Sequence, residues 1–366
     1  DDHHAPFLFA TNGRPYLRQL RTLSGIWFLD TRVKTHLPRP LNGWYSPSGL
    51  LAELNTNRVI ADANLHHTPN ELPGLRPYQR AAIAKVEERV ALGQRDLLLA
   101  MATGTGKTRT CVSLLYRLIR AKRFRRILFL VDRTELGTQA GEAFSNVKLE
   151  NLQGFSQIYD VKEIGDARPD EETRVHLATV QGMVKRLLYP SDTQEPFPVD
   201  TYDCIIIDEC HRGYTLDREL SDDEIGFLDE HDYISKYRRV LEHFDAVRIG
   251  LTATPAIHTT EIFGKPVFTY SYRQAVIDGY LIDHEPPVRI VTDLAEDGIH
   301  WSAGEELHLL NPTAGTVDLT EAPDEIDMDV EAFNSRVITE PFNRTVCTEL
   351  ARHIDPTLPG KTLIFC

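Results

Sequence analysis

Five short runs in this chain are apolar at successive positions, and longer segments with apolar residues at helical spacing separate them. The runs are DLLLAM (96–101), RRILFLVD (125–132), VHLATV (175–180), DCIIIDEC (203–210) and AVRIGLTATP (246–255). A strand with one face in water alternates polar and apolar residues, whereas a strand covered on both faces does not need to. Runs of this second kind between helical segments predict a parallel sheet with helices on both sides, a doubly wound α/β domain over 72–286. In such a sheet the carboxyl ends of the strands share one edge, and ligands bind there.

Two of the runs end in residues suited to phosphate chemistry. ATGTGKT (102–108) follows the first run and opens a helix, so a glycine-rich turn can present backbone N–H groups at a helix amino terminus. In this reading Thr103, Gly104, Thr105 and Gly106 form the cradle, the Lys107 ammonium meets the β- and γ-phosphates, and the Thr108 hydroxyl ligates magnesium. The generic P-loop pattern has glycine where this chain has Met101, a departure that the strand–loop–helix context outweighs. DECH (208–211) closes the fourth run. Asp208 is placed to hold magnesium, and Glu209 to orient or deprotonate an attacking water. ATP and Mg2+ are the ligands these motifs imply. LTATP (251–255) ends the fifth run, with hydroxyls able to bond the DECH turn and relay nucleotide state. Gln79, in LRPYQ (75–79), carries an amide able to read the donor and acceptor of adenine, and is equally a residue that sits solvated on a first helical turn.

Charge is uneven along the chain, although the formal net charge is −14. Residues 72–133 hold fourteen Lys or Arg against four Asp or Glu, and residues 293–331 hold twelve acids with no Lys or Arg. The first stretch is either a basic helix face or a lobe that meets DNA phosphates, and the second reads as a linker or a partner surface. Five cysteines without close spacing read as reduced structural thiols. No apolar stretch approaches the roughly 20 residues of a membrane span, and DDHHAPFLFA lacks the features of a secretory signal, which points to a cytoplasmic protein without a membrane partner.

Outside the α/β region, PFLFATNG and GIWFLD read as strands within 1–50, and the chain starts on them as though in mid-domain. Residues 51–71 read as a linker after a Pro/Gly-rich connector, and 287–335 as an acidic linker or excursion. Over 336–366 a helical pattern returns around 340–354, and GKTLIFC looks like the first strand of another α/β domain. The one acid-x-Lys triplet, Asp160-Val161-Lys162, falls between the second and third apolar runs and reads as structural.

Longer strings make the likeness specific: LVDRTELGTQ (130–139), DECHRGYTLDREL (208–220), YISKYRRVLEHFDAVRIGLTATP (233–255) and FGKPVFTYSYRQAVIDGYLIDHEPP (263–287). The chain resembles superfamily 2 helicases, and among them the motor (R, or HsdR) subunit of type I restriction enzymes. The N-terminal FATNGRPYLRQLRTLSGIWFLD is similar to the stretch after that subunit's nuclease core. The resemblance implies a RecA-like first lobe, preceded by the end of a restriction-endonuclease-like α/β domain and followed by the start of a second RecA-like lobe. It implies an ATP-driven double-stranded DNA translocase that works with methylation (M) and specificity (S) subunits. It also implies adenine contact by Gln79, coupling by His211, Thr252 and Thr254, and DNA-backbone contact by Arg133, Thr179 and Gln181. The family's nuclease residues are then expected before Asp1 and its arginine finger beyond Cys366. A fragment of this extent is therefore expected to lack efficient hydrolysis, since an arginine finger contributes on the order of 10³-fold or more. Two other readings stay open: a stand-alone helicase or remodeller, and a nucleotide-gated binding module.

Overall fold

The computed structural model describes residues 5–131, 141–189, 197–210, 230–284, 298–328, 340–354 and 357. Within these spans 18–19, 21–22, 33–35, 143, 148, 150–152, 163–168, 171, 256, 312–315 and 323–324 are excepted. The chain divides into two compact units, Asp1–Asp283 and His284–Cys366.

The first unit opens with strands β1 (Phe7–Thr11), β2 (Ile26–Asp30) and β3 (Arg39–Leu41), paired antiparallel in that order. Phe28 is fully buried at its centre, with the rings of Phe9 and Tyr45 at 5.0 and 5.1 Å and the Arg39 guanidinium over its face at 4.7 Å. The residues expected to be a linker, 51–71, are instead largely helical, within Pro47–Asn55 and Arg58–His67. The reason lies in the connector itself. Ser46 accepts from the Gly49 N–H and Pro47 stands at the first helical position, a start signal that composition alone reads as a break. Asn57 caps the second helix in the same way, and Ala61 and Leu65, four apart, give it a buried face.

The expected parallel sheet follows, with seven strands. These are β4 (Asp96–Met101), β5 (Ile127–Val131), β6 (Val161–Lys162), β7 (Val175–Thr179), β8 (Cys204–Ile207), β9 (Val247–Thr252) and β10 (Phe268–Tyr270). Their order is β10-β4-β9-β8-β5-β7-β6, and every pairing is parallel. The strand period of two divides the apolar runs between two cores. Leu97, Leu99, Met101, Phe129 and Ile206 pack into one with helices Pro77–Ala91 and Lys107–Arg120. Leu98, Leu128, Leu130, Ile205 and Ile207 pack into the other with helices Val180–Leu188 and Glu230–His243. Asp160 takes the structural part expected of it: its carbonyl accepts from the Arg174 N–H and its carboxylate from the Thr173 hydroxyl, beside edge strand β6.

The amino ends of the sheet strands carry a buried ionic cluster that fastens the N-terminal sheet to the parallel one. Asp245, just before β9, is paired by Arg39 at 2.6 Å through both carboxylate oxygens and by Arg95 at 2.6 Å, and it accepts from the Tyr45 hydroxyl. Nearby, Ser46 donates from its N–H and hydroxyl to Asp200 at 2.6 and 2.7 Å. Burial alone would push the Asp245 carboxyl up, but Arg95 and Arg39 outweigh it and hold the group well below the usual carboxylate range.

In the second unit, the acidic stretch expected as a linker or excursion contains paired strands. β11 (Ile299–Trp301) pairs antiparallel with β14 (Ile326–Met328), and β12 (Glu306–Asn311) with β13 (Thr316–Glu321). Acid-rich composition masked the alternation in TVDLTE, which is the strand signal. Helix Glu340–His353 lies where helical spacing returned, and the expected strand 360–366 falls outside the described residues. Among the described residues no helix is long and apolar enough to cross a membrane.

Removing the charge at the cluster's centre is expected to unfold the first unit more readily. Asp245→Asn should cost about 3–5 kcal/mol in urea denaturation near neutral pH, because two arginines lose their buried partner. Since the folded carboxyl is held below its ordinary value of 3.8, its contribution is complete above that pH and shrinks as the pH falls below it. A variant as stable as the parent near neutrality would refute this assignment.

Candidate functional site

Parallel pairing sets the P-loop strand two places from the DECH strand. β9, which ends in the LTATP run, lies between β4 and β8, so three motif-bearing ends emerge side by side. The turn after β4 is shaped by its glycines. Gly104 and Gly106 have φ of 80° and 79°, the left-handed region that L side chains avoid, and a Cβ on Gly106 would lie 2.6 Å from the Gln79 amide nitrogen. Thr105 is buried and closes the loop by donating from its hydroxyl to the Ala102 carbonyl at 2.6 Å, while Thr103, Gly104 and Gly106 are exposed. Helix Lys107–Arg120 begins immediately after the loop, aiming its first N–H groups at the same space.

Lys107 and Glu209 meet in this cleft. The ammonium lies 3.2 Å from Glu209 Oε1, with the lysine buried and the glutamate partly open to solvent. A sharp turn after β8 makes this possible: Glu209 has φ of 48°, its N–H donates to Asp208 Oδ1 at 2.9 Å, and the Cys210 N–H donates to the Leu251 carbonyl at 2.9 Å. The last bond ties the DECH turn to β9. Asp208 itself is half-buried, and desolvation together with the neighbouring Glu209 carboxylate pushes its carboxyl up to about 6, against the opposing pull of Lys107. Thr252 is fully buried, and its hydroxyl bridges the Thr254 N–H and carbonyl at 3.1 Å each, shaping the turn after β9.

Gln79 is neither solvated nor turned outward. It is buried, donating from Nε2 to the Thr105 and Gly106 carbonyls at 3.0 and 3.1 Å while Oε1 accepts from the Arg76 N–H at 2.9 Å. In this structure the amide therefore braces the P-loop. Thr108 sits half-buried at the second helical position. Thr179 and Gln181 lie apart from this group, at the end of β7, four places from β4 or roughly 19 Å at the usual strand spacing. The Thr179 hydroxyl caps helix Val180–Leu188 by accepting from the Gly182 N–H at 3.0 Å. Arg133 and His211 fall outside the described residues.

Several neighbours of the loop went unread in the sequence. The Tyr78 hydroxyl donates to the Thr105 carbonyl at 2.7 Å, Tyr270 stacks on Tyr78, and Leu281 lies against Gly104. The signal for Tyr78 was adjacency to Gln79; nothing local marked Tyr270 or Leu281.

The chain is similar to known proteins over the span that holds these motifs. Residues 73–257 match the family described as type III restriction enzyme, res subunit, a span that takes in half of the chain and every group just described from Gln79 to Thr254. The chain belongs to the res-subunit family of restriction enzymes, among the type I endonuclease subunits. Residues 1–54 match the second domain of the type I restriction enzyme EcoKI endonuclease subunit. The EcoKI endonuclease subunit of Escherichia coli strain K12 is 47% identical over 363 residues, which cover 99% of this chain and 30% of that protein. The EcoAI endonuclease subunit of Escherichia coli is 30% identical over 377 residues, covering 99% and 41%. The chain thus spans well under half the length of these relatives. A solved fragment described as an HsdR subunit of a type I restriction enzyme from Vibrio vulnificus YJ016 is 27% identical, covering 75% of this chain and 43% of that one at a TM-score of 0.41.

The raised pKa of Asp208 has a measurable consequence in this type I subunit. A carboxyl whose folded pKa exceeds its unfolded one disfavours the folded state once ionised, so the cost is complete above about 6 and gone below 3.8. Asp208→Asn, freed of nucleotide and divalent metal, should therefore gain up to about 3 kcal/mol in denaturant melts at mildly alkaline pH, with the gain fading under acid conditions. No gain at alkaline pH would show that the carboxylate is not desolvated.

Proposed function

We propose that this chain forms part of the motor of a type I restriction endonuclease, coupling ATP hydrolysis to translocation of double-stranded DNA in a complex with methylation and specificity subunits. The observation that carries this reading is the meeting of Lys107 and Glu209 at 3.2 Å, which joins the P-loop and the acidic motif in one cleft.

Each side chain then has a distinct task. The N–H groups of the exposed Thr103, Gly104 and Gly106 and the start of helix Lys107–Arg120 take phosphate oxygens, and the Lys107 ammonium turns from Glu209 to the β- and γ-phosphates. That turn leaves the Glu209 carboxylate to accept a proton from the attacking water. Gln79 meets the adenine by turning its amide away from the Thr105 and Gly106 carbonyls. Asp208 fits a divalent cation: a half-buried carboxyl held up to about 6 is one whose charge a hard cation stabilises, and the Thr108 hydroxyl supplies a second oxygen. Asp208 and Thr108 would hold magnesium, which would supply neutralisation of phosphate charge. Thr252 and Thr254 relay the state of the cleft, because the Cys210 N–H to Leu251 bond makes the DECH turn and the end of β9 move together. His211 joins them in that coupling. Arg133, Thr179 and Gln181 contact the DNA backbone, which carries affinity rather than sequence reading. Sequence reading belongs to the specificity subunit.

Two substitutions in the full-length subunit, assembled with its partners, test the assignment. Lys107→Ala should abolish ATP-dependent displacement of a DNA triplex. Glu209→Gln should keep ATP binding while lowering kcat by about 10²- to 10⁴-fold, the usual weight of a positioned general base. Triplex displacement that survives without Lys107 would end the proposal.

A further inference from the structure

The P-loop is held at both ends by two tyrosines that stack on each other. The Tyr270 carbonyl accepts from the Ala102 N–H at 3.0 Å, at the start of the loop, and the Tyr78 hydroxyl donates to the Thr105 carbonyl at 2.7 Å, near its end. The two rings lie face to face, with centroids 3.9 Å apart and planes 9° apart, and both residues are buried. Tyr78 comes from the first turn of helix Pro77–Ala91 and Tyr270 from edge strand β10, so the stack bridges elements that are far apart in sequence.

The chain after Tyr270 returns to the same place. Ser271 caps the short helix Tyr272–Ile277, the Tyr270 hydroxyl donates to Asp278 at 2.7 Å, and the Tyr280 and Leu281 N–H groups both donate to the Ala275 carbonyl, at 2.8 and 3.1 Å. This fold-back sets the Tyr280 ring edge-on to Tyr78 at 5.1 Å, with the Arg76 guanidinium 4.7 Å above it. It also sets Leu281 against the loop's tip, where a Cβ on Gly104 would lie 3.2 Å from Leu281 Cδ2. Two residues further, at Asp283, the first unit ends and the chain passes to the second.

We infer that the Tyr78–Tyr270 stack is a positioning clamp that sets the P-loop for phosphate and ties the loop's closure to the exit segment 278–283. This rests on the reading of 102–108 as a nucleotide phosphate site. A phosphate that draws the Gly104 turn inward moves the surface on which Leu281 rests, and the stack keeps the loop's two anchors from separating as it does so. Neither tyrosine touches the reacting atoms. They act through Ala102, Thr105 and Gly104, and the exit segment answers to nucleotide because its own residues complete the clamp.

The test uses the full-length subunit in its complex, reading ATP hydrolysis at steady state and amide hydrogen exchange over 278–283 with and without nucleotide. Tyr270→Leu, which removes the stack, should raise KM for ATP about tenfold, the factor at the upper end of what one aromatic pair contributes. It should also erase the nucleotide-dependent protection of 278–283. Tyr270→Phe keeps the ring and the backbone bond but loses the hydroxyl bond to Asp278, so it should restore KM and regain part of the protection. Tyr78→Phe deletes one hydroxyl without disturbing the core, so it keeps the question open to experiment if the leucine variant fails to fold. It should raise KM by a smaller but measurable factor. Wild-type KM and protection in Tyr270→Leu, or in Tyr78→Phe where the leucine variant does not fold, would overturn the clamp, as would equal damage from Tyr270→Phe and Tyr270→Leu. Lys107→Ala separates this failure from that of the underlying site. Nucleotide binding that depends on Lys107 but not on Tyr270 removes the clamp alone, whereas binding indifferent to Lys107 removes the site.

Discussion

Everything this chain does at its carboxyl edge depends on the parallel pairing of β4 with β9 and of β9 with β8. Parallel strands end on the same side, and the short interstrand distance then brings turns from residues 102–106, 208–210 and 252–254 into one cleft. No single side chain could gather these turns. The Lys107–Glu209 contact and the Cys210 to Leu251 bond are consequences of that register, because Ile207 lies opposite Gly250 and Ala100 opposite Thr252. Gly250 also leaves room for the Cys210 sulfur, which a Cβ there would approach to 2.9 Å. The packing under the site is thus fitted to the turn above it.

The two edges of the sheet divide their work. At the carboxyl edge the Lys107 ammonium meets the Glu209 carboxylate, beside an aspartate whose ionisation is costly. The amino edge keeps fixed charge, with Asp245 locked by Arg39 and Arg95. Removing one partner there leaves a buried charge without compensation, so the N-terminal sheet and the parallel sheet stand or fall together. β9 runs from one edge to the other, with Asp245 two residues before its first position and Thr252 at its last.

Much of this was legible in the residues. β4, β5, β7, β8 and β9 announced themselves because burial on both faces leaves an uninterrupted apolar run, and the phosphate loop and the acidic turn followed from their positions at strand ends. β6 and β10 did not, since edge strands of two and three residues carry too little pattern. The helices in 47–67 were hidden by reading Pro47 as punctuation when, behind a serine cap, it marks a start. The strands at 299–328 were hidden by acidic composition, although Val317 and Leu319 alternate with polar residues. Gln79 was singled out for adenine, and its bonds to two loop carbonyls required the helix and the loop to be placed together. The tyrosine stack is wholly tertiary, so no local window contains it.

The central claim is that Lys107 and Glu209 compete with phosphate for one another in a single cleft. Nucleotide affinity in a double-mutant cycle on the full-length subunit measures this directly, using Lys107→Ala, Glu209→Ala and the pair. Glu209→Ala should tighten binding when Lys107 is present, by releasing the ammonium, and change nothing when Lys107 is absent, a coupling of about 1 kcal/mol. Additive effects of the two substitutions would contradict the account.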